Sequence, residues 1–122
     1  MGNPVVHFEI IGKDAERQRK FYREAFDWHI AAPVGGAGVP DYTMVQPNEN
    51  GGIAGGIGTA PEGYEGHVTF YVGVPDVAAA LRKIESLGGK TTMGPDQVPD
   101  GPIIGLFKDP QGLVVGVVQT AN

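Results

Sequence analysis

One pattern of alternation and periodicity runs through the first half of the chain and then restarts in the second. Residues 5–11, VVHFEII, alternate as a strand does, with Val6, Phe8 and Ile10 on one face and His7 and Glu9 on the other. Gly12 breaks the run, and residues 14–26 read as a helix. Asp14 and Glu16 lie in its first turn, at the positive end of the dipole, and the pairs Phe21/Ala25 and Tyr22/Phe26 are spaced for an apolar stripe. Residues 27–31, 42–46 and 52–58 follow as three short strands, the last of them glycine-heavy. After a turn-rich stretch at 59–66, residues 67–74, HVTFYVGV, alternate again: His67, Thr69 and Tyr71 against Val68, Phe70 and Val72. A second helix carries Val77, Ala80, Leu81, Ile84 and Leu87 on one stripe and meets a left-handed stop at Gly88-Gly89. Residues 90–93, 103–108 and 113–119 read as strands, with Asp109-Pro110-Gln111-Gly112 as the turn between the last two.

The predicted fold class is therefore α+β: two βαβββ modules, at about residues 4–58 and 66–119, forming curved mixed sheets around a cup within one domain spanning 1–122. Neither module could bury its sheet alone, so the two must pack together or pair with a second chain. A chain of 122 residues buries enough surface for a core without covalent staples. The absence of cysteine excludes disulfides, thiolate zinc sites and cysteine nucleophiles, and fits a reducing compartment. No apolar run approaches the roughly 20 residues of a membrane span. The N-terminus lacks the features of a signal peptide, so a cytoplasmic location is expected. A formal net charge of -5 argues against a nucleic-acid partner, since phosphate binding wants a basic face.

A helix that joins two strands covers one face of their sheet, and that face should take Val6, Phe8 and Ile10, then Val68, Phe70 and Val72. The opposite face then carries His7, Glu9, His67 and Thr69. If the sheet curls, two imidazoles and a carboxylate face into the cup, where a few polar groups on apolar walls make a binding site. Glu9 has apolar neighbours and is expensive to bury unpaired; a wet cup, a metal, or a salt bridge to an arginine would each remove that cost. His29 has no partner at a telling spacing and reads as structural or surface. The Gly/Pro-rich loops at 33–40 and 94–102 connect strands and could also cover the cup as lids.

The segments HFEI at 7–10, KFYREAFDW at 20–28, GHVTFYVGVPDVAAALRKIESLGGK at 66–90 and FKDPQGLVVGVVQ at 107–119 resemble, in this order, glyoxalase-like proteins of the vicinal-oxygen-chelate superfamily (glyoxalase, bleomycin resistance protein, dioxygenase). The branch they resemble is the one described as related to lactoylglutathione lyase. The resemblance implies paired modules around a divalent metal, and a homodimer whose modules pair within or between chains. In glyoxalase I each module supplies a histidine from its first strand and a glutamate from a later one. His7 and His67 match the histidines. Gly116 stands where the second glutamate is expected, and residues 52–58 offer only Gly, Ile and Ala near the first.

Glyoxalase I uses its glutamates to hold the metal and move the substrate proton, so the resemblance implies a relative with an altered site. His7, Glu9 and His67 would form a ligand set of two histidines and a carboxylate, suited to zinc, nickel, manganese or iron, with Glu9 also as proton carrier and no organic cofactor. Neighbours two apart on a strand lie about 6.6 Å apart, so both reach one ion only if their side chains bend together. Two functions follow. One is a metal-dependent lyase, isomerase or dioxygenase on a small oxygenated substrate. The other is a metal-free binding protein like the bleomycin-resistance relatives, in which Trp28, Tyr42, Tyr64 and Tyr71 and an acidic surface suit a cationic or aromatic ligand. Core packing is the ordinary role for at least half of those aromatics.

Overall fold

Two aspartates start the two helices. Asp14 accepts a hydrogen bond from the Arg17 amide at 3.1 Å and opens α1 (Ala15–Phe26); Asp76 accepts from the Ala79 amide at 3.1 Å and opens α2 (Val77–Ser86). Around them the computed structural model describes residues 2–31, 41–47 and 51–120. The strands are β1 (Val5–Gly12), β2 (Thr43–Val45), β3 (Ala54–Thr59), β4 (His67–Val74), β5 (Lys90–Gln97), β6 (Ile103–Lys108) and β7 (Val114–Gln119). The α+β class read from the pattern is what the chain adopts. Among the described residues no helix is long and apolar enough to cross a membrane.

The chain divides into two units, His7–Val68 and Met1–Val6 with Thr69–Asn122. In the first, the strand order is β2-β3-β1, with β1 and β3 parallel and β2 antiparallel to β3. Glu9 lies opposite Gly56 in that register. The strand expected at 27–31 contracts to a single bridge between Ile30 and Val45, flanked by bonds from Ala31 N to Met44 O and Gln46 N to His29 O. The contraction begins at Asp27, whose left-handed φ of 58° ends α1 and turns the chain before extended pairing can start. The core here is Ile10, Ala15, Val45 and Ile57, with Phe8, Tyr22, Trp28 and Ile30 against it. Ala15 and Tyr22 are seven apart, nearly two turns, and so share the inward side of α1. That orientation leaves the other members of the expected stripe, Phe21, Ala25 and Phe26, exposed.

In the second unit the order is β4-β7-β6-β5; β4 and β7 are parallel, the remaining pairs antiparallel. In each unit the last strand returns parallel beside the first. The core is Val74, Val77, Leu81 and Val117, joined by Val72, Ala80, Ile84, Ile103 and Phe107. Two expectations are revised. Strand β5 continues through Gln97 by shifting register after Thr91 and again after Met93, so residues 94–97 are strand and not loop. The other loop proposed as a lid, at 33–40, lies outside the described residues. On β4, Val72 packs in the core, but Phe70 is 41% and Val68 75% exposed, against the expectation for that face. Thr69 and Tyr71, on the face assigned to the cup, are buried.

Candidate functional site

The alternation of β1 puts Ile10 into the core and sends His7 and Glu9 to the other side of the strand. Glu9 is 6% exposed. Its partner in the ladder is Gly56, and a Cβ built there would stand 2.0 Å from the Tyr42 hydroxyl oxygen. The missing side chain thus leaves the space that Tyr42 fills. From that seat Tyr42 Oη donates to Glu9 Oε1 at 3.0 Å, and His7 Nε2 meets the same hydroxyl at 2.9 Å, with its ring stacked on the tyrosine at an interplanar angle of 16°.

The second carboxylate oxygen is held from β4. His67 Nε2 lies 2.7 Å from Glu9 Oε2, with the two side chains 10% and 8% exposed. Gly66 makes the approach possible. Its φ is 107°, and a Cβ there would stand 2.3 Å from the Ile11 carbonyl oxygen, so only glycine lets the chain pass this close to β1 before His67. Tyr64, in the turn before the strand, places its hydroxyl 2.5 Å from His67 Nδ1. The five side chains form one hydrogen-bonded series: His7, Tyr42, Glu9, His67, Tyr64.

Burial holds the His7 pKa below the ordinary imidazole value of 6.5, and the nearby Glu9 charge offsets this in part. Burial, followed by the same Glu9 charge, pushes Tyr64 above 10.0, so its hydroxyl keeps its proton at neutral pH. A carboxylate held by two donors and shielded from water can accept a proton from a bound molecule.

All three residues singled out from the sequence come together here, but they meet one another and two tyrosines. Both carboxylate oxygens of Glu9 are engaged, and His7 connects to it through Tyr42. Among the described residues no group of three or more His, Cys, Asp or Glu side chains could hold a metal ion. As arranged, the trio does not fit a metal. His67 supplies the pairing that a buried Glu9 requires.

The aromatics divide. Tyr42 and Tyr64 join the series, a role the sequence did not reveal; Gly56 was the one signal, as a strand position with no side chain of its own. Trp28 packs in the core, 5.2 Å from Phe8 and 5.0 Å from Tyr22 between ring centroids. Tyr71, in the other unit, covers Gly116, where a Cβ would meet its ring at 2.5 Å. His29 is exposed. A depression along α1, lined by Arg17, Arg19, Lys20, Arg23 and Glu24 among others, contains none of the five.

Comparison with known proteins gives three findings. The family model described as the Glyoxalase/Bleomycin resistance protein/Dioxygenase superfamily matches residues 5–117. CFP32 of Mycobacterium bovis, provisionally named a glyoxylase, is 32% identical over 108 residues, which are 87% of this chain and 41% of that protein; the protein of the same name in Mycobacterium tuberculosis matches equally. The chain thus spans about two fifths of the length of these relatives. Among solved structures, a variant of Streptomyces coelicolor methylmalonyl-CoA epimerase in complex with 2-nitronate-propionyl-CoA matches with a TM-score of 0.71 over 98% of this chain and 95% of the epimerase, at 18% identity. A Vibrio splendidus glyoxalase/bleomycin resistance protein/dioxygenase superfamily member matches with a TM-score of 0.64 over 98% and 100%, at 12% identity. At these identities the two structures establish the fold.

Proposed function

The chain belongs to the Glyoxalase/Bleomycin resistance protein/Dioxygenase superfamily, and on that premise we propose that it is an isomerase- or lyase-type enzyme that moves a proton at the carbon next to a carbonyl of a small oxygenated substrate, with Glu9 as the proton carrier. One observation carries this reading: Glu9 is buried and held at each oxygen by a donor, Tyr42 just before β2 and His67 on β4. A carboxylate oxygen has two acceptor positions, so a single hydrogen bond orients it without using it up. Glu9 takes the proton from the substrate carbon as its bonding electrons move into an enolate. It then returns the proton to the other face of that carbon, or to its neighbour. Tyr42 and His67 hold the carboxylate in place through both steps, which keeps the reorganisation cost low. No step is assigned to a metal.

The substrate class to try first comes from the structural relatives, which include a methylmalonyl-CoA epimerase in complex with methylmalonyl-CoA. The test is exchange of substrate hydrogen for deuterium in D2O, followed by NMR, with coenzyme A thioesters and with small 2-oxo and 2-hydroxy compounds. Exchange by the wild type that falls by about a hundredfold or more in a folded Glu9→Gln variant supports the reading. Exchange at the wild-type rate in that variant, or none with any of these compounds, ends it.

A second reading is a metal-free binding protein of the bleomycin-resistance type. It is favoured by the same burial, since a buried carboxylate beside Tyr42 and Tyr64 suits a cationic aromatic ligand. Calorimetric binding of bleomycin with no exchange activity would select it. Both readings carry a homodimer, to be checked by light scattering, and a cytoplasmic location.

A further inference from the structure

The hydrogen bonds around Glu9 have a direction as well as a length. A tyrosine hydroxyl has one proton, and that of Tyr42 is on the bond to Glu9 Oε1. The Tyr42 oxygen therefore receives the bond from His7, and His7 must carry its proton on Nε2. On the other side, His67 Nε2 faces Glu9 Oε2 and Nδ1 faces the Tyr64 hydroxyl, so a neutral His67 has the same tautomer. Donors run inward to the carboxylate from both ends. His7 would not choose this state by itself, because a neutral imidazole can carry its proton on either nitrogen and the choice follows the partner.

We propose that Tyr42, seated in the space left by Gly56, is a positioning residue that fixes the direction of the His7–Tyr42–Glu9 hydrogen bonds and with it the tautomer of His7. The inference rests on the reading of Glu9 as proton carrier for its use, though its test does not need a substrate. Gly56 pairs with Glu9 on one side and Met44 on the other, in the middle of the three-strand ladder, so the position cannot drift from under the tyrosine. A Cβ there would fall 2.0 Å from the hydroxyl oxygen and 2.1 Å from the ring carbon that bears it. The seat therefore exists only with glycine.

The chain has three histidines, and His29 is exposed and lies outside the series, so a histidine nitrogen spectrum includes its own control. Protein labelled with 15N-histidine is compared at one neutral pH as wild type, Tyr42→Phe and Gly56→Ala. Tyr42→Phe keeps the ring and removes the hydroxyl; Gly56→Ala keeps the hydroxyl and displaces it. In the wild type His7 is expected to be a single tautomer with Nε2 in the protonated nitrogen range. In both variants Nε2 and Nδ1 of His7 should shift toward the averaged values of a mixture, with His29 unmoved. If one variant fails to fold, the other still reads the result. A mixed or Nδ1-protonated His7 in the wild type overturns the proposal, and so do folded variants whose His7 signals stay at the wild-type positions. If proton exchange with a substrate is found, Tyr42→Phe should slow it on the order of tenfold to a hundredfold with little change in KM. Absence of exchange would count against the enzyme reading and leave the tautomer result standing.

Discussion

Glu9 and His67 are 58 positions apart in the chain, yet Oε2 of one lies 2.7 Å from Nε2 of the other. Both side chains are at most a tenth exposed. Such a contact is costly to break from one side, since the remaining group has lost its water and then loses its partner as well.

Glu9→Ala should therefore destabilise the protein by about 3–5 kcal/mol, while Glu9→Gln, which still offers polar atoms to Tyr42 and His67, should cost about 1–3 kcal/mol. Urea unfolding with an unchanged slope would report the difference as a shift of midpoint. A Glu9→Ala midpoint equal to that of the wild type would mean the series contributes nothing to stability.

His7 makes stability depend on pH in one direction. Its pKa in the fold lies below the value of 6.5 that it regains on unfolding, so between the two the unfolded chain binds more protons. The contribution is complete above pH 6.5 and is lost as the pH falls from there through the lowered folded value. His7→Gln should flatten this part of the profile. Midpoints measured from pH 7.5 to 5, equally steep in both proteins, would place the dependence elsewhere.

Metal content separates the present arrangement from a ligand set. Protein purified without a histidine tag is expected to contain well below one equivalent of zinc, nickel, manganese or iron and to take up none tightly on titration, because the Glu9 oxygens and His67 Nε2 are committed to each other and to Tyr42. Near one equivalent, lost in both His7→Ala and His67→Ala, would instead make His7, Glu9 and His67 metal ligands.

Gly116→Ala should cost about 1–3 kcal/mol, because its Cβ would stand 2.5 Å from the ring of Tyr71, which is 5% exposed. The cost should shrink when Tyr71 is also replaced by alanine, a non-additivity that a thermal or urea double-mutant cycle would detect. Gly2→Ala, with no atom within 4 Å of the new Cβ, serves as the control. Equal costs in the two Tyr71 backgrounds would remove Tyr71 as the cause.

Much of the architecture was legible in the residues because it depends on neighbours within a few positions. The helix read at 14–26 forms over Ala15–Phe26, the alternation of 5–11 places His7 and Glu9 on one face, and Gly88 ends the second helix as a left-handed glycine. Each is a property of local geometry, and each survives in the structure. The strand-helix restart told of two modules for the same reason.

The partners of Glu9 were not legible, because they depend on register and on volume. Tyr42 is 33 positions from Glu9, and a slip of one residue between β1 and β3 would bring Gly55 or Ile57 opposite the carboxylate and remove the tyrosine's seat. The exposure of Val68 and Phe70 is likewise a matter of packing, which no periodicity within β4 encodes. Which side chains lie on a face is written in the spacing of the chain. What each one touches there is decided by packing, where the absence of a single Cβ at Gly56 admits a hydroxyl and completes the site.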